Sequence, residues 1–166
     1  LLDDHLKQVA RIACQIAGAS FGKLKRTFES AGRLHDHGKG CSTWQIPMGG
    51  RVARPLAKTK GAVNPRAMGG YRHELGSLLE TLRSNGDDDL LLHLVASHHG
   101  WARPYWEARA YHPDYPSDVS EKAAMDAARR FSRMQQRWGP WGLAYLEALF
   151  KAADGIASDT DGSDSA

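Results

Sequence analysis

The run Leu34-His35-Asp36-His37-Gly38-Lys39 is the most informative stretch for the fold class, because it joins the end of an amphipathic helix to an adjacent imidazole and carboxylate. Apolar residues recur at helical spacing from Leu24 to Leu34, so this pattern predicts a helix that ends near Asp36. The His35-Asp36 pair therefore lies at a helix end, where a helical bundle can gather polar side chains around one cavity.

Five further segments outward from this run have the same helical periodicity, and none alternates with the period of a β-strand. We therefore predict an all-α domain of about six helices with two long loops. One predicted helix precedes this run and has an apolar stripe from Leu6 to Ile16. Two follow it: one has a stripe from Leu75 to Leu82 and stops at Asn85-Gly86, and the next is capped by Asp87 and ends at Gly100. The last two run from a cap at Ser120 to an end near Met134, and from Pro140 to Gly155.

Length and composition indicate one soluble globular domain. The chain has 166 residues, of which 42% are hydrophobic and 25% charged, so disorder and coiled-coil architecture are excluded as classes. Two cysteines form no disulfide framework, and no segment has the length of a membrane span or the pattern of a signal peptide, so we expect a cytoplasmic protein. We place the domain at residues 1–156 and a flexible acidic tail or linker at 157–166. From the start at Leu1 instead of Met we expect a fragment or a processed form of a longer polypeptide.

Basic residues are concentrated in one segment, although the net charge is only +3. No acidic residue occurs between Asp36 and Glu74. Two interpretations stay open for this segment: a loop that attracts a polyanion such as nucleic acid, or a solvated surface loop. Its basic residues are Lys39, Arg51, Arg54, Lys58, Lys60, Arg66 and Arg72.

Polar residues interrupt the apolar stripes at the ends of the predicted helices. Asp154 continues the stripe of Leu146 and Phe150, and His98 continues the stripe before it. We expect such residues from five helices to meet in one cavity, where neutral imidazoles and carboxylates suit Mn, Fe, Co, Ni or Zn better than Mg. They are His5, His35, Asp36, His73, His98, His99 and Asp154.

The order of these seven residues resembles that of the HD superfamily of metal-dependent phosphohydrolases, over nearly the whole chain. Within it, His35-Asp36-His37-Gly38-Lys39, His73-Glu74 and Ser97-His98-His99-Gly100 look most like the HD nuclease of type I CRISPR interference, which works with a DNA-translocating helicase. The resemblance implies an HD-domain helical bundle.

The resemblance also implies a site for two divalent metal ions. One metal would be held by His5, His35, Asp36 and Asp154, and the other by Asp36, His73, His98 and His99. Asp36 would bridge the two metals, which would activate a water molecule and polarise the phosphodiester. Lys39 would contact a phosphate oxygen.

Other residues in the motifs receive a structural or a substrate-binding interpretation. We expect His37, His93 and His112 not to be ligands, and Glu74 either to orient His73 or to be an exposed first-turn glutamate. An aromatic and cationic cluster after His99 can stack unpaired bases, although Trp106 is expected to pack under the domain. The predicted nucleic-acid contacts are Lys39, Arg51, Arg54, Trp101, Arg103 and Tyr105.

Three functions follow from this pattern. The first is a metal-dependent nuclease for single-stranded DNA, coupled to a helicase module and to the CRISPR surveillance complex. The second is an HD phosphohydrolase for a nucleotide or cyclic dinucleotide, whose signature after the paired histidines differs from Gly100-Trp101-Ala102-Arg103-Pro104. A noncatalytic binding module is the third, and the complete ligand set disfavours it.

Overall fold

The fold is all-α, as predicted. A computed structural model describes residues 1–59, 61, 63–84, 87–103 and 106–163, with the backbone alone at 20, 65 and 160–163. Within these ranges no strand occurs, apart from an isolated bridge between Arg51 and Arg54. The described residues form six α-helices, which are α1 (Leu2–Ser20), α2 (Lys25–Leu34), α3 (Ser42–Gln45), α4 (His73–Arg83), α5 (Asp89–Ser97) and α6 (Ser117–Ser163). Short 3₁₀ turns span Gly22–Leu24, His37–Gly40, Pro65–Met68 and Ala108–Ala110.

Helix α6 consists of two helical segments separated at Gly139, whose φ of 69° and ψ of 162° are not helical. Pro140 begins the second segment as predicted, because a proline at the first helical position needs no hydrogen-bond partner for its nitrogen. The predicted end at Gly155 is wrong, since the helix continues to Ser163 through the proposed domain boundary. The reason is the buried stripe, which extends beyond Phe150 to Ala153 and Ala157. Residues 164–166 of the predicted tail lie outside the described residues.

Two predicted caps are corrected by the structure. Asp88, not Asp87, caps α5, because its Oδ1 accepts hydrogen bonds from the backbone N–H groups of Leu90 at 2.9 Å and Leu91 at 3.3 Å. Ser120 does not begin its helix, which starts three residues earlier at Ser117, and its side chain is buried. The helix end predicted at Asn85-Gly86 lies outside the described residues, and α4 ends at Arg83. Helix α5 ends at Ser97, before the predicted Gly100.

The core forms two clusters, and α1 and α2 pack very closely in the first. A Cβ on Gly32 would lie 2.4 Å from Ala10 Cα, so only glycine allows this approach. Phe28 and Phe150 meet edge to face in the same cluster. Leu75 and Leu78 of α4 belong to the second cluster with Trp106. No helix in the described ranges is long and apolar enough to cross a membrane.

Candidate metal centre

Asp36 lies at the centre of the site, buried directly after the end of α2. Its two carboxylate oxygens face different histidines. Oδ2 is 3.7 Å from His5 Nε2 and 3.5 Å from His35 Nε2. Oδ1 is 3.1 Å from His73 Nε2 and 3.4 Å from His98 Nε2. The carboxylate therefore stands between two groups of imidazoles.

The first group comes from α1, the end of α2, and α6. Asp154 completes it, because its Oδ1 lies 3.3 Å from His5 Nε2 and 3.7 Å from His35 Nε2. Because the helix continues past Gly155, Asp154 lies within α6 and is not a residue of a fraying helix terminus. A helix interior holds its position more firmly than a terminus does.

The second group comes from the start of α4 and the end of α5. His73 is the first residue of α4, and its Nε2 is 3.3 Å from His98 Nε2. Asp36, His73, His98 and His99 each offer a ligand atom within 4.8 Å of the others, and so do His5, His35 and Asp36. The structure thus brings all seven predicted side chains into one region.

Backbone hydrogen bonds orient two of the imidazoles. His35 Nδ1 donates to Gly32 O at 2.9 Å, and His98 Nδ1 donates to Val95 O at 2.8 Å. With the proton on Nδ1, the Nε2 lone pair of each neutral ring points to the centre, as in metal-binding histidines. Among the described residues, His35 Nε2 and Asp36 Oδ1 are buried without a hydrogen-bond partner. Buried unpaired acceptors are costly, and a divalent cation is the group that fits them.

Electrostatics favour the protonation states that bind metals. Burial acts to raise the pKa of Asp36, but His35, Lys39 and the other histidines outweigh it and hold that pKa well below the ordinary value. Burial likewise opposes ionisation of Asp154, yet His35 and His5 lower its pKa. Burial lowers the pKa of His98. The charged carboxylates of Asp36 and Asp154 and the neutral imidazole of His98 are the ligand forms that a divalent metal requires.

Lys39 contacts the same carboxylate oxygen that faces the first group. Its Nζ forms an ion pair with Asp36 Oδ2 and lies 5.5 Å from the centroid of the Trp44 ring. The backbone carbonyl of Lys39 accepts a hydrogen bond from Gln45 Nε2 at 2.7 Å. Lys39 is therefore held beside the candidate metal centre by its side chain and by its backbone.

Lys151 is a site residue that the sequence analysis missed. Its Nζ lies 3.1 Å from Asp154 Oδ2 and 3.2 Å from His99 Nδ1. The only sequence signal for this contact is the spacing of three residues between Lys151 and Asp154, which places them on one helix face. Such spacing is common on exposed helix surfaces and does not single out a site.

The other three histidines lie outside both groups. His93 Nε2 is 2.6 Å from Glu147 Oε1, and its ring stacks on Phe131. His112 Nδ1 accepts a hydrogen bond from the backbone N–H of Asp114. Burial lowers the pKa of both His37 and His112.

Glu74 is buried, so the prediction of an exposed first-turn glutamate is wrong. The structural reason is that α4 packs this first turn against the rest of the domain. Its Oε2 lies 3.6 Å from His73 Nδ1, beyond hydrogen-bond distance, and has no hydrogen-bond partner among the described residues.

The predicted nucleic-acid contacts lie in different surroundings. Arg51 and Arg54 are exposed, and Trp101 is 39% exposed. Arg103 Nη1 forms an ion pair with Glu147 Oε2 at 2.6 Å. Trp106 is buried in the second core cluster, which confirms its packing role. Tyr105 lies outside the described residues.

This arrangement, with imidazoles and carboxylates around a shared aspartate in a helical bundle, defines the class of HD domains. The family model described as Cas3, HD domain matches residues 1–162. The chain therefore belongs to the Cas3 HD domain family and, at the level of that family, is a CRISPR-associated HD nuclease. No curated protein and no solved structure matches the chain.

Proposed function

We propose that the domain hydrolyses phosphodiester bonds of single-stranded DNA in type I CRISPR interference, with two divalent transition-metal ions. The observation that carries the proposal is the position of Asp36, whose two oxygens face two separate imidazole groups. A carboxylate can span two cations about 3.5–4 Å apart, which an imidazole cannot do. Asp36 therefore has a bridging role that none of the imidazoles around it could take over.

The ligands divide between the two groups that share Asp36. His5, His35 and Asp154 would hold one metal, and His73, His98 and His99 the other. Metals bound there supply activation of a water molecule and polarisation of the scissile phosphodiester. Five imidazoles favour Mn, Fe, Co or Ni over Mg, which prefers oxygen ligands.

The other residues near the centre orient and bind the substrate. Lys39, whose Nζ pairs with Asp36 Oδ2, supplies an ammonium donor for a phosphate oxygen. Arg51 and Arg54 add positive charge in the segment that follows, where a polyanionic strand is attracted at long range. Trp101 offers an exposed ring to an unpaired base. A helicase module and the surveillance complex are the partners of a cytoplasmic nuclease of this kind.

A cleavage assay tests the proposal. The purified domain is incubated with circular single-stranded DNA, duplex DNA or a cyclic dinucleotide, each with Mn²⁺, Ni²⁺ or Mg²⁺. We expect cutting of the single strand, supported by Mn²⁺ or Ni²⁺ more than by Mg²⁺, and abolished by Asp36→Ala. Asp118→Ala removes an exposed carboxylate in the first turn of α6 and is expected to leave cleavage unchanged.

Lys39→Ala separates substrate binding from metal binding in the same assay. We expect it to slow cleavage about tenfold or more, the effect of losing a hydrogen bond from a charged donor, while bound metal is retained. Dinucleotide turnover without DNA cleavage would replace the proposal by the second function. If the wild-type domain cleaves none of these substrates with any metal, the noncatalytic binding module becomes the remaining function.

A further inference from the structure

A cleft of about 320 Å³ has in its lining Arg72 and Trp101, which lie within two residues of His73 and His99 in the chain. Two stretches of chain line it, Tyr71 with Arg72 and Trp106 with Glu107 and Arg109, and Trp101 belongs to the lining as well. The backbone N–H of Arg72 donates to Ala110 O at 3.2 Å, which joins the two stretches. We name this feature the Trp101 cleft.

The Trp101 cleft already contains a stacked cation and ring. The guanidinium carbon of Arg72 lies 3.8 Å from the centroid of the Trp101 ring. A planar guanidinium on an indole forms two layers of a stack, and a further flat, polarizable group can extend it. Arg109 and Glu107 also line the cleft, where Arg109 Nε lies 2.6 Å from Glu107 Oε2, and both side chains are mostly exposed.

The Trp101 cleft is continuous in the chain with the metal centre. Arg72 directly precedes His73, and Trp101 follows His99 after a single glycine. That glycine, Gly100, has a φ of +81°, a conformation that turns the chain sharply and that other residues rarely adopt. Tyr71 on the cleft wall donates its hydroxyl to Gly38 O at 2.8 Å, in the turn that carries Asp36 and Lys39. Two residues span at most about 7 Å, so the cleft lies within reach of a nucleotide whose phosphate is at the second group.

We propose that the Trp101 cleft binds the base of the nucleotide next to the scissile phosphate, with the base stacked on Arg72 and Trp101. The inference rests on the proposed function and adds to it the part of the substrate that distinguishes a single strand from a duplex. A paired base has no free face for such a stack, whereas every unpaired base has one. Binding through stacking also predicts little preference among the four bases.

The test compares two ligands with equal charge. Fluorescence anisotropy in EDTA measures the affinity for a labelled oligothymidylate and for a fully abasic strand of the same length. We expect Trp101→Ala to weaken oligothymidylate binding about fivefold or more, and to leave abasic binding within about twofold. Arg72→Lys keeps the charge but loses the planar group, so we expect the same selective loss, while Trp101→Phe retains most of the affinity.

Trp141→Ala is the matched control, since this tryptophan is 87% exposed on α6 and should not affect either affinity. Circular dichroism and thermal melts confirm that each variant is folded. An equal loss of affinity for both ligands, or no loss for either, would overturn the proposed base binding in the Trp101 cleft and would leave the nuclease proposal intact. A wild-type domain that binds neither ligand would overturn both.

A second readout locates the base relative to the cut. Substrates with one abasic position each are cleaved in Mn²⁺, and the products are mapped. We expect a missing base at one position adjacent to the cut to slow the wild type about fivefold or more, and to have no further effect in Trp101→Ala. Equal sensitivity at all positions would contradict a single base-binding cleft.

Discussion

At the scale of single residues, Lys151 opposes the metal-binding form of His99. An ammonium group can only donate, so the contact with Nδ1 at 3.2 Å makes this nitrogen the acceptor. A metal at Nδ1 would compete with Lys151 for the same lone pair. With Nδ1 as the acceptor, the neutral His99 ring carries its proton on Nε2. A metal that binds at Nε2 would therefore have to displace this proton. In either case, metal binding by His99 requires Lys151 to move.

We therefore expect Lys151→Met, which keeps the length of the side chain, to bind Mn²⁺ more tightly than the wild type does. Because Lys151 is about half exposed, its contacts contribute in the range of surface ion pairs, about 0.2–1 kcal/mol, so the gain is at most about fivefold. Isothermal titration calorimetry measures the affinity. Lys122→Met removes an exposed lysine from the same helix as the control. Weaker Mn²⁺ binding by Lys151→Met would show that the lysine supports the ligand.

At the scale of elements, the contact between α4 and the His37–Gly40 turn holds His73 against Asp36. The backbone N–H of Gly38 donates to Ser77 Oγ at 2.9 Å. A Cβ at Gly38 would lie 2.1 Å from His73 O and 2.7 Å from Ser77 N. Such distances to backbone atoms cannot be relieved by a side-chain rotation, so α4 would have to move away from the turn.

Gly38→Ala is accordingly expected to destabilise the domain by about 1–3 kcal/mol and to reduce metal stoichiometry from two ions to one, through the displacement of His73. Urea unfolding and metal analysis after gel filtration measure the two effects. Gly40→Ala in the same turn is the control, because no atom lies within 4 Å of its added Cβ. Full occupancy of both sites in Gly38→Ala would show that the second group does not depend on this contact.

The same elements show what sequence reasoning can reach. Helical periodicity predicted α1, α2, α4, α5 and both segments of α6, because burial of one helix face leaves a direct mark on the sequence. Ends were less predictable: three consecutive aspartates, 87–89, are all able to cap, and only the backbone geometry selects Asp88. Helix α3 was missed, since four residues are too few to show a period.

At the scale of the whole molecule, the seven side chains of the candidate metal centre were predictable because their order resembles that of a known family and because polar residues such as Asp154 interrupt apolar helical stripes. Lys151 and the stack of Arg72 on Trp101 were not, since both depend on tertiary contacts between residues that are individually ordinary on a surface. Folding alone brings residue 72 onto residue 101. Long-range pairs of this kind have no periodic or compositional signal in one sequence.

Stability of the metal-free domain should fall as the pH is lowered. Asp36, Asp154, His98 and His112 all have a lowered pKa in the folded chain, so the unfolded chain binds more protons. The loss begins below the ordinary histidine pKa of 6.5 and steepens below the ordinary aspartate pKa of 3.8. Urea unfolding in EDTA is expected to give a lower free energy of unfolding at pH 5 than at pH 7.5. His112→Asn keeps an acceptor for the Asp114 N–H and should reduce the fall in the free energy of unfolding between pH 7.5 and pH 5. A wild-type free energy of unfolding that stays level or rises towards pH 5 would contradict the burial of neutral histidines.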